Sequence, residues 1–195
     1  SRMKGIAKFL LWLGGWKLDP NIPPESQRCV MVAAPHTSNW DFYYVRLAFW
    51  ALGIPMKVAI KNDWTKPPFG WVIKPMGGIG VNRGPKKGTQ RKSQVDAMAA
   101  LFTTRDRIAM VIAPEGTRQL NPRWKMGYYW IASTAKVPIT MGYLDYKRKV
   151  AGVSPIVIHP TGDPKKDLPQ MMNFYKSING FAPDQFQVDE RYTST

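Results

Sequence analysis

The sequence is poor in the residues from which disulfide bonds and most metal sites are built. It contains one cysteine, Cys29, and two histidines, His36 and His159. A single cysteine excludes an intramolecular disulfide and any site with several cysteine ligands, and it fits a reducing compartment. Since Cys29 lies within an apolar run, we interpret its thiol as part of the core rather than as a reactive group. No other ligand cluster is visible in the sequence, so no metal is expected.

Long hydrophobic runs are also missing. No uninterrupted apolar stretch approaches the roughly 20 residues that a helix needs to cross a bilayer, so the protein is not expected to span a membrane, although it can lie on one. The chain has no internal repeat and no low-complexity linker, and its 195 residues suit one domain with a substantial core. We therefore predict a single domain over residues 1–195.

Acidic residues are scarce. The chain has 13 Asp and Glu against 28 Lys and Arg, which gives a formal net charge of +15. Such an excess predicts an anionic partner, whether nucleic acid, an anionic membrane or a phosphorylated substrate. The rings of eight Trp, eight Tyr and eight Phe suit membrane interfaces, although they also suit cores and base stacking. Charge alone therefore does not choose among the three partners.

Residues 1–17 carry the pattern of an amphipathic helix, with Met3, Ile6, Ala7, Leu10 and Leu13 on its apolar side. Two interpretations remain open: the helix anchors the protein at a membrane interface, or it packs on the protein's own core. In the first, the side chains at headgroup level are Lys4, Lys8, Trp12 and Trp16. The segment has the basic start of a signal peptide but no small-residue cleavage site, so we expect it in the mature fold.

Short apolar runs alternate with helical patterns along the rest of the chain. Strands are predicted at 28–34, 56–60, 77–83, 108–113 and 137–140, with one or two more in 150–159. Helices are predicted at about 38–52, 69–76, 95–102, 128–136 and 163–178, and 179–195 is an irregular tail. This alternation predicts an α/β sandwich with a central, largely parallel (mixed) sheet flanked by helices.

The stretch 34–41 carries the first candidate chemistry. His36 follows a predicted strand, and Ser38 and Asp41 form the start signal of the next helix. A carboxylate there can accept a hydrogen bond from one imidazole nitrogen and leave the other free to take a proton, which describes a general base and its orienting group. The alternative is an ordinary loop histidine beside a helix-capping aspartate, and these eight residues alone do not decide.

Two further strand ends carry unusual polar groups, Arg83 on one and Glu115 with Arg118 on the other. Parallel strands present their carboxyl ends at one edge of the sheet, so these groups are expected to converge with His36. Arginine forks match phosphate oxygens, and Gly116 allows close backbone approach. Glu115 either binds a substrate hydroxyl or braces an arginine; both roles stay open. The set suits deprotonation of a hydroxyl on a phosphate-bearing substrate.

Four motifs follow one another along the chain: the HxxxxD of His36 and Asp41, the GGIGVNR of 77–83, the PEGTR of 114–118 and the VPI of 137–139. In order and spacing they resemble those of glycerolipid acyltransferases of the lysophosphatidic acid acyltransferase type, as in short bacterial members. The match extends to Lys61, 67–71 and 124–129. The resemblance implies that His36 is the general base, that Asp41 orients it, and that the acceptor's glycerol phosphate is held by Arg83, Glu115, Gly116, Thr117 and Arg118.

The resemblance also implies a reaction. An acyl group passes from acyl carrier protein or coenzyme A to the hydroxyl of a lysophospholipid, expected to be 1-acylglycerol-3-phosphate, without an acyl-enzyme. No cofactor is expected beyond the acyl donor as co-substrate. The implied partners are the lysophospholipid, the donor and an anionic membrane surface, with no nucleic acid, and the implied location is cytoplasmic, peripheral on the inner face of the cell membrane.

Departures from the family pattern leave alternatives open. Gly80, Asn82 and Gln119 replace residues that are frequent at these positions, which puts the acceptor in doubt more than the reaction. Gly80 marks either close approach by a ligand or a bulge. The same chemistry on another lysolipid, such as a lyso amino-acid lipid, is one alternative. A non-catalytic basic module that binds membrane or nucleic acid is another, but it leaves the four ordered motifs unexplained.

Overall fold

A central mixed sheet organises the protein. The computed structural model describes residues 2–38, 40–81, 88–116 and 119–193. Within those residues seven strands pair in the order β1-β7-β6-β2-β5-β3-β4. Their bounds are β1 Lys17–Leu18, β2 Arg28–Ala33, β3 Met56–Lys61, β4 Gly78–Val81, β5 Ile108–Ile112, β6 Ile139–Asp145 and β7 Val150–Val153. Every neighbouring pair is parallel except β6 with β7, which confirms the predicted α/β class with a largely parallel, mixed sheet.

Helices cover both faces of this sheet. Their bounds are α1 Arg2–Leu13, α2 Trp40–Leu52, α3 Gly70–Ile73, α4 Gly88–Ala100, α5 Gly127–Ala135, α6 Pro164–Asp167 and α7 Pro169–Lys176. Side chains alternate across a strand, so Cys29 and Met31 of β2 pack with α1 and α2, whereas Val30 and Val32 pack with α5 and α7. Burial on both faces explains why the central strands read as continuous apolar runs.

The C-terminal part departs from the prediction. Instead of one helix over 163–178, α6 and α7 are separate, because Pro169 has no backbone N–H with which to continue the helical hydrogen bonds. The predicted cap is correct, since the Asp163 side chain accepts from the backbone N–H of Lys165 at 3.2 Å. Beyond α7 the chain forms two short 3-10 helices, Pro183–Gln185 and Glu190–Tyr192, and Val188 and Asp189 are buried, so this segment packs as part of the fold.

Helix α1 divides its apolar side chains between two environments. Ala7 and Leu11 are buried in the same cluster as α2 side chains, so the helix packs on the core. Met3, Ile6 and Leu13, predicted on the same apolar side as Ala7, are instead 42%, 51% and 60% exposed. The predicted apolar side of the helix is therefore only partly buried: Ala7 packs on the core, and Met3, Ile6 and Leu13 remain exposed. Among the described residues, no helix is long and apolar enough to cross a membrane.

The position of Trp16 also differs from the prediction. It was predicted at headgroup level, yet only 6% of its surface is exposed. Its ring lies against Tyr44, with centroids 4.8 Å apart, and meets Tyr146 edge-on at 5.0 Å. The chain turns after α1 and brings Trp16 back over the protein, so this side chain is core. Lys4, Lys8 and Trp12 remain on the exposed surface of α1, where Trp12 is 70% exposed.

Candidate active site

His36 and Asp41 come together at the carboxyl end of β2, where the strand passes into α2. The His36 Nδ1 and Asp41 Oδ2 atoms are 3.2 Å apart, with the imidazole about one-third exposed and the carboxyl group almost fully buried. A carboxylate only accepts hydrogen bonds, so the proton of the neutral imidazole belongs on Nδ1 and the lone pair on Nε2. The contact that the sequence predicted between the two side chains is present, and their roles as base and orienting group stay a prediction.

Local backbone contacts fix this carboxylate. Asp41 Oδ2 also accepts from the backbone N–H groups of Thr37 at 2.9 Å and Ser38 at 3.0 Å. The Ser38 hydroxyl in turn accepts from the backbone N–H of Trp40, which is the predicted start of α2. Asp41 therefore braces the loop that carries His36, and the interpretation of Asp41 as only a helix cap does not account for its contact with the imidazole.

Glu115 reaches the same loop from the end of the neighbouring strand β5. Its Oε1 atom accepts from the backbone N–H of His36 at 2.8 Å, and the residue is fully buried. Within the described residues its Oε2 atom has no hydrogen-bond partner. Burial raises the pKa of Glu115 from 4.5 to about 7, although the bond from the His36 amide acts in the opposite direction. Sequence reasoning considered a substrate hydroxyl or an arginine as its partner and missed this backbone contact.

Gly116 adopts a left-handed conformation, with φ at +67°. A Cβ at this position would lie 2.8 Å from the Lys125 Nζ atom, so the glycine allows the lysine side chain to cross close to the backbone. The backbone N–H of Lys125 donates to the Pro114 carbonyl at 2.8 Å, which ties the two loops together. The fold thus places the ammonium group of Lys125 beside Gly116, and Gly116 belongs to the loop that holds Glu115.

An apolar cavity of about 160 Å³ opens beside the histidine, between α2 and the sheet. His36 and Asp41 form part of its wall, and Phe42, itself 42% exposed, stands between the cavity and the surface. Most of the other wall residues are apolar, among them Ala33, Val45, Met56, Val58, Val111 and Leu144. No sequence pattern indicated this cavity, because it depends on how α2 lies across four strands.

Arg83, Thr117 and Arg118 lie outside the described residues, so their predicted roles stay predictions. The strands that lead to them are placed: β5 adjoins β2, and β4 is separated from β5 by β3. All four run parallel, so their carboxyl ends share the edge that carries His36. With neighbouring strands about 5 Å apart, the end of β4 lies roughly 15 Å from the end of β2.

Cys29 and His159 are the other two side chains that the sequence offered as candidates for a reactive role. The Cys29 thiol is buried 3.1 Å from the Thr140 hydroxyl, and burial raises its pKa to about 12, which supports the core interpretation. His159 is exposed on a loop, beside a second pocket of about 240 Å³ that also includes Ser133 and Lys136. The described residues contain no group of three or more side chains suited to hold a metal ion.

One residue of the site was not predicted at all. The Tyr146 hydroxyl donates to Asp41 Oδ1 at 2.7 Å. Tyr146 follows β6 in a segment without any motif, and it is 105 positions away from its partner. Only the parallel pairing of β6 with β2 brings the two together, so no local sequence signal was available to find it.

Comparisons with known proteins identify a family and a related fold. The Acyltransferase family model matches residues 19–160. Among solved structures, the 1-acyl-sn-glycerophosphate (LPA) acyltransferase PlsC from Thermotoga maritima matches with a TM-score of 0.52 and 14% identity. The alignment covers 87% of this chain and 73% of that one, and at this identity the likeness shows a shared fold. The search of curated proteins finds no match.

Proposed function

The chain belongs to the acyltransferase family, and from that premise we propose that it transfers a fatty acyl group from a thioester donor to the hydroxyl of a lysophospholipid. The donor is acyl carrier protein or coenzyme A, and the acceptor is 1-acylglycerol-3-phosphate. The observation that carries the proposal is the His36–Asp41 pair, which opens onto an apolar cavity. A base next to an apolar cavity suits a reaction between a hydroxyl group and a fatty acyl chain.

The reaction proceeds by general-base catalysis. The free Nε2 of His36 accepts the proton of the acceptor hydroxyl while that oxygen attacks the thioester carbonyl carbon. The carbon–sulfur bond then breaks as the ester bond forms, and the proton passes from His36 to the leaving thiolate. Asp41 holds the imidazole in the required tautomer and stabilises its charged form. No protein nucleophile is required, and the buried thiol of Cys29 is not available as one.

The cavity receives part of the acyl chain. Its wall is largely hydrocarbon, so burying a methylene chain there releases water from apolar surface. His36 stands at the polar end of this wall, which places the reacting carbonyl where the chain emerges. This assignment gives Phe42 a place at the entrance, since it contacts both the cavity and the outer surface.

The anionic head of the acceptor binds at the edge of the sheet beyond the cavity. By resemblance, Arg83 and Arg118 take the phosphate oxygens, and Gly116 and Thr117 are further residues of the acceptor site. The ammonium group of Lys125, next to Gly116, supplies a further positive charge for the same phosphate. Glu115 does not contact the acceptor in this scheme, because its carboxyl group holds the His36 backbone.

The enzyme works at a membrane surface. The exposed apolar side chains of α1 and α2 lie on helices that pack against each other: Met3, Ile6, Phe9, Trp12, Leu13, Trp40, Phe42 and Tyr43. Exposed aromatic and aliphatic side chains with neighbouring lysines are typical of an interfacial surface. We infer that this surface rests on the anionic cytoplasmic face of the membrane, with Lys4 and Lys8 among the headgroups. Acyl chains then have a short path from the bilayer past Phe42.

A panel of lysolipids, each offered with acyl carrier protein and coenzyme A donors and analysed by mass spectrometry, tests the proposal. Ester formation is expected, with 1-acylglycerol-3-phosphate as the best acceptor. The variant His36→Ala should lower turnover by roughly a hundredfold or more, whereas His159→Ala should leave it unchanged.

Three other outcomes would each contradict a different part of the proposal: the acceptor, the mechanism or the catalytic function itself. Preference for a lyso amino-acid lipid would show that the acceptor is a different lysolipid. Full turnover by His36→Ala would reject the mechanism. A wild-type protein that binds oligonucleotides in a salt-sensitive way and forms no ester would indicate the non-catalytic module instead.

A further inference from the structure

The two oxygens of the Asp41 carboxylate have different partners. Oδ2 faces His36 Nδ1 and the backbone N–H groups of Thr37 and Ser38, whereas Oδ1 accepts from the Tyr146 hydroxyl at 2.7 Å. Asp41 is only 4% exposed, so water does not readily replace a missing partner. The donors on Oδ2 fix the position of that oxygen, but the terminal torsion of an aspartate is broad, so the tilt of the carboxylate plane also depends on what holds Oδ1. Tyr146 supplies the hold on the second oxygen.

Tyr146 is itself firmly placed. Its backbone N–H donates to the Asn179 carbonyl at 2.8 Å, and its ring meets Trp16 and Phe181 edge-on at 5.0 and 5.4 Å. Burial, and next the bond to Asp41, raise the pKa of Tyr146, so the hydroxyl keeps its proton and remains a donor. Trp16 and Phe181 lie outside residues 19–160, the segment that matches the family model, whereas Tyr44, whose ring meets that of Tyr146 edge-on at 6.1 Å, lies inside it.

We propose that Tyr146 is a positioning residue for the acyl transfer, acting through Asp41 to keep His36 in its Nδ1–H tautomer. The inference rests on the proposed function, because it assumes that His36 is the base. Without the Tyr146 hydroxyl, Oδ1 loses this donor while the Thr37 and Ser38 amides still hold Oδ2, so the plane of the carboxylate is less firmly set against the imidazole and the Nδ1–H tautomer is less populated. Substrate binding is unaffected, since Tyr146 does not border the cavity.

The variant Tyr146→Phe tests this, because it removes the hydroxyl and keeps the ring. We expect kcat to fall roughly tenfold, the size typical of losing a hydrogen bond to a charged group, with KM for both substrates within about twofold. The matched control is Tyr44→Phe, which removes a hydroxyl from the same aromatic cluster and leaves Asp41 untouched. A second variant, Phe181→Ala, loosens the ring of Tyr146 from an exposed position and should lower kcat by a few fold even if Tyr146→Phe fails to fold.

A second readout does not depend on activity. Nitrogen-15 NMR of histidine-labelled protein at alkaline pH reports the neutral tautomer, and with only two histidines the His159→Gln variant assigns the signals. Wild type and Tyr44→Phe should show the Nδ1–H form for His36, and Tyr146→Phe a mixture of both forms. A wild-type tautomer in Tyr146→Phe overturns the proposal whatever the turnover, and so does unchanged kcat. If the wild type makes no ester, the proposed function fails and the NMR result alone decides the positioning role.

Discussion

At the scale of single residues, the buried carboxyl group of Glu115, which holds the histidine loop, makes the stability of the fold depend on pH. Burial raises its pKa from 4.5 to about 7 in the folded protein, so between these pH values the folded state binds more protons than the unfolded state. This shift contributes to the free energy of unfolding. The contribution is fully present below about pH 4.5 and is lost as the pH rises to about 7, by about 3 kcal/mol in total. The fold is thus less stable at neutral pH than at pH 4.5, although the carboxyl group also accepts the hydrogen bond of the His36 amide.

Replacing this carboxyl group by an amide should remove that pH dependence. In Glu115→Gln the side-chain oxygen still accepts from the His36 amide, but nothing titrates. We expect the free energy of unfolding of the wild type, measured with urea between pH 4 and 8, to fall relative to the variant as the pH rises. Glu190→Gln is the control, since Glu190 is exposed. Parallel curves for Glu115→Gln and wild type would show that the carboxyl group is not perturbed.

The residues of this site differ in how well their contacts could be predicted from the sequence. His36 and Asp41 were predictable because the strand end, the cap at Ser38 and the carboxylate in the first helical turn all lie within a few positions. The contact of Glu115 with the His36 amide was not predictable, since a motif specifies residue types and not which atoms meet. Tyr146 gave no signal, because its role depends on a contact across the whole sheet.

At the scale of elements, α1 is both a core helix and an exposed apolar surface. The interpretation that it packs on the core is confirmed by Ala7 and Leu11, and the membrane role stays a prediction. Deleting residues 1–17 would therefore be a poor test, because it would also remove Trp16 from beside Tyr146. Point changes on the exposed side separate membrane contact from folding.

Such a change is the double variant Phe9→Ser, Trp12→Ser. Both side chains are more than half exposed, so their loss should leave the fold intact. Since burying one large apolar side chain contributes roughly 1.5–3 kcal/mol, partitioning into vesicles should fall at least tenfold. The control is Trp130→Ser, which removes a 43% exposed Trp from α5, on the other face of the sheet. Sedimentation with liposomes measures both, and equal losses in the two variants would show that α1 has no special role.

At the scale of the whole molecule, the sequence predicted the class of fold and the edge that carries the site. Alternating apolar runs and helices imply a parallel sheet, and a parallel sheet gathers its carboxyl ends. The order of the strands was not predictable, and that order sets which groups are close: β5 adjoins β2 and brings Glu115 to His36, whereas the end of β4 is farther away. The cavity depends in the same way on packing between distant elements.

The net charge of +15 raises the question of which basic residues face the membrane. If α1 rests on it, Lys4→Gln with Lys8→Gln should weaken binding to anionic vesicles roughly thirtyfold at low salt, because each basic residue near an anionic surface contributes on the order of 1 kcal/mol. Lys165→Gln with Lys166→Gln, on α6, removes the same charge and should change little. The difference should shrink above about 0.5 M salt as screening shortens the reach of the charges, and it should vanish on zwitterionic vesicles. Equal losses from both pairs would mean that charge acts through the molecule as a whole and that α1 does not set its orientation.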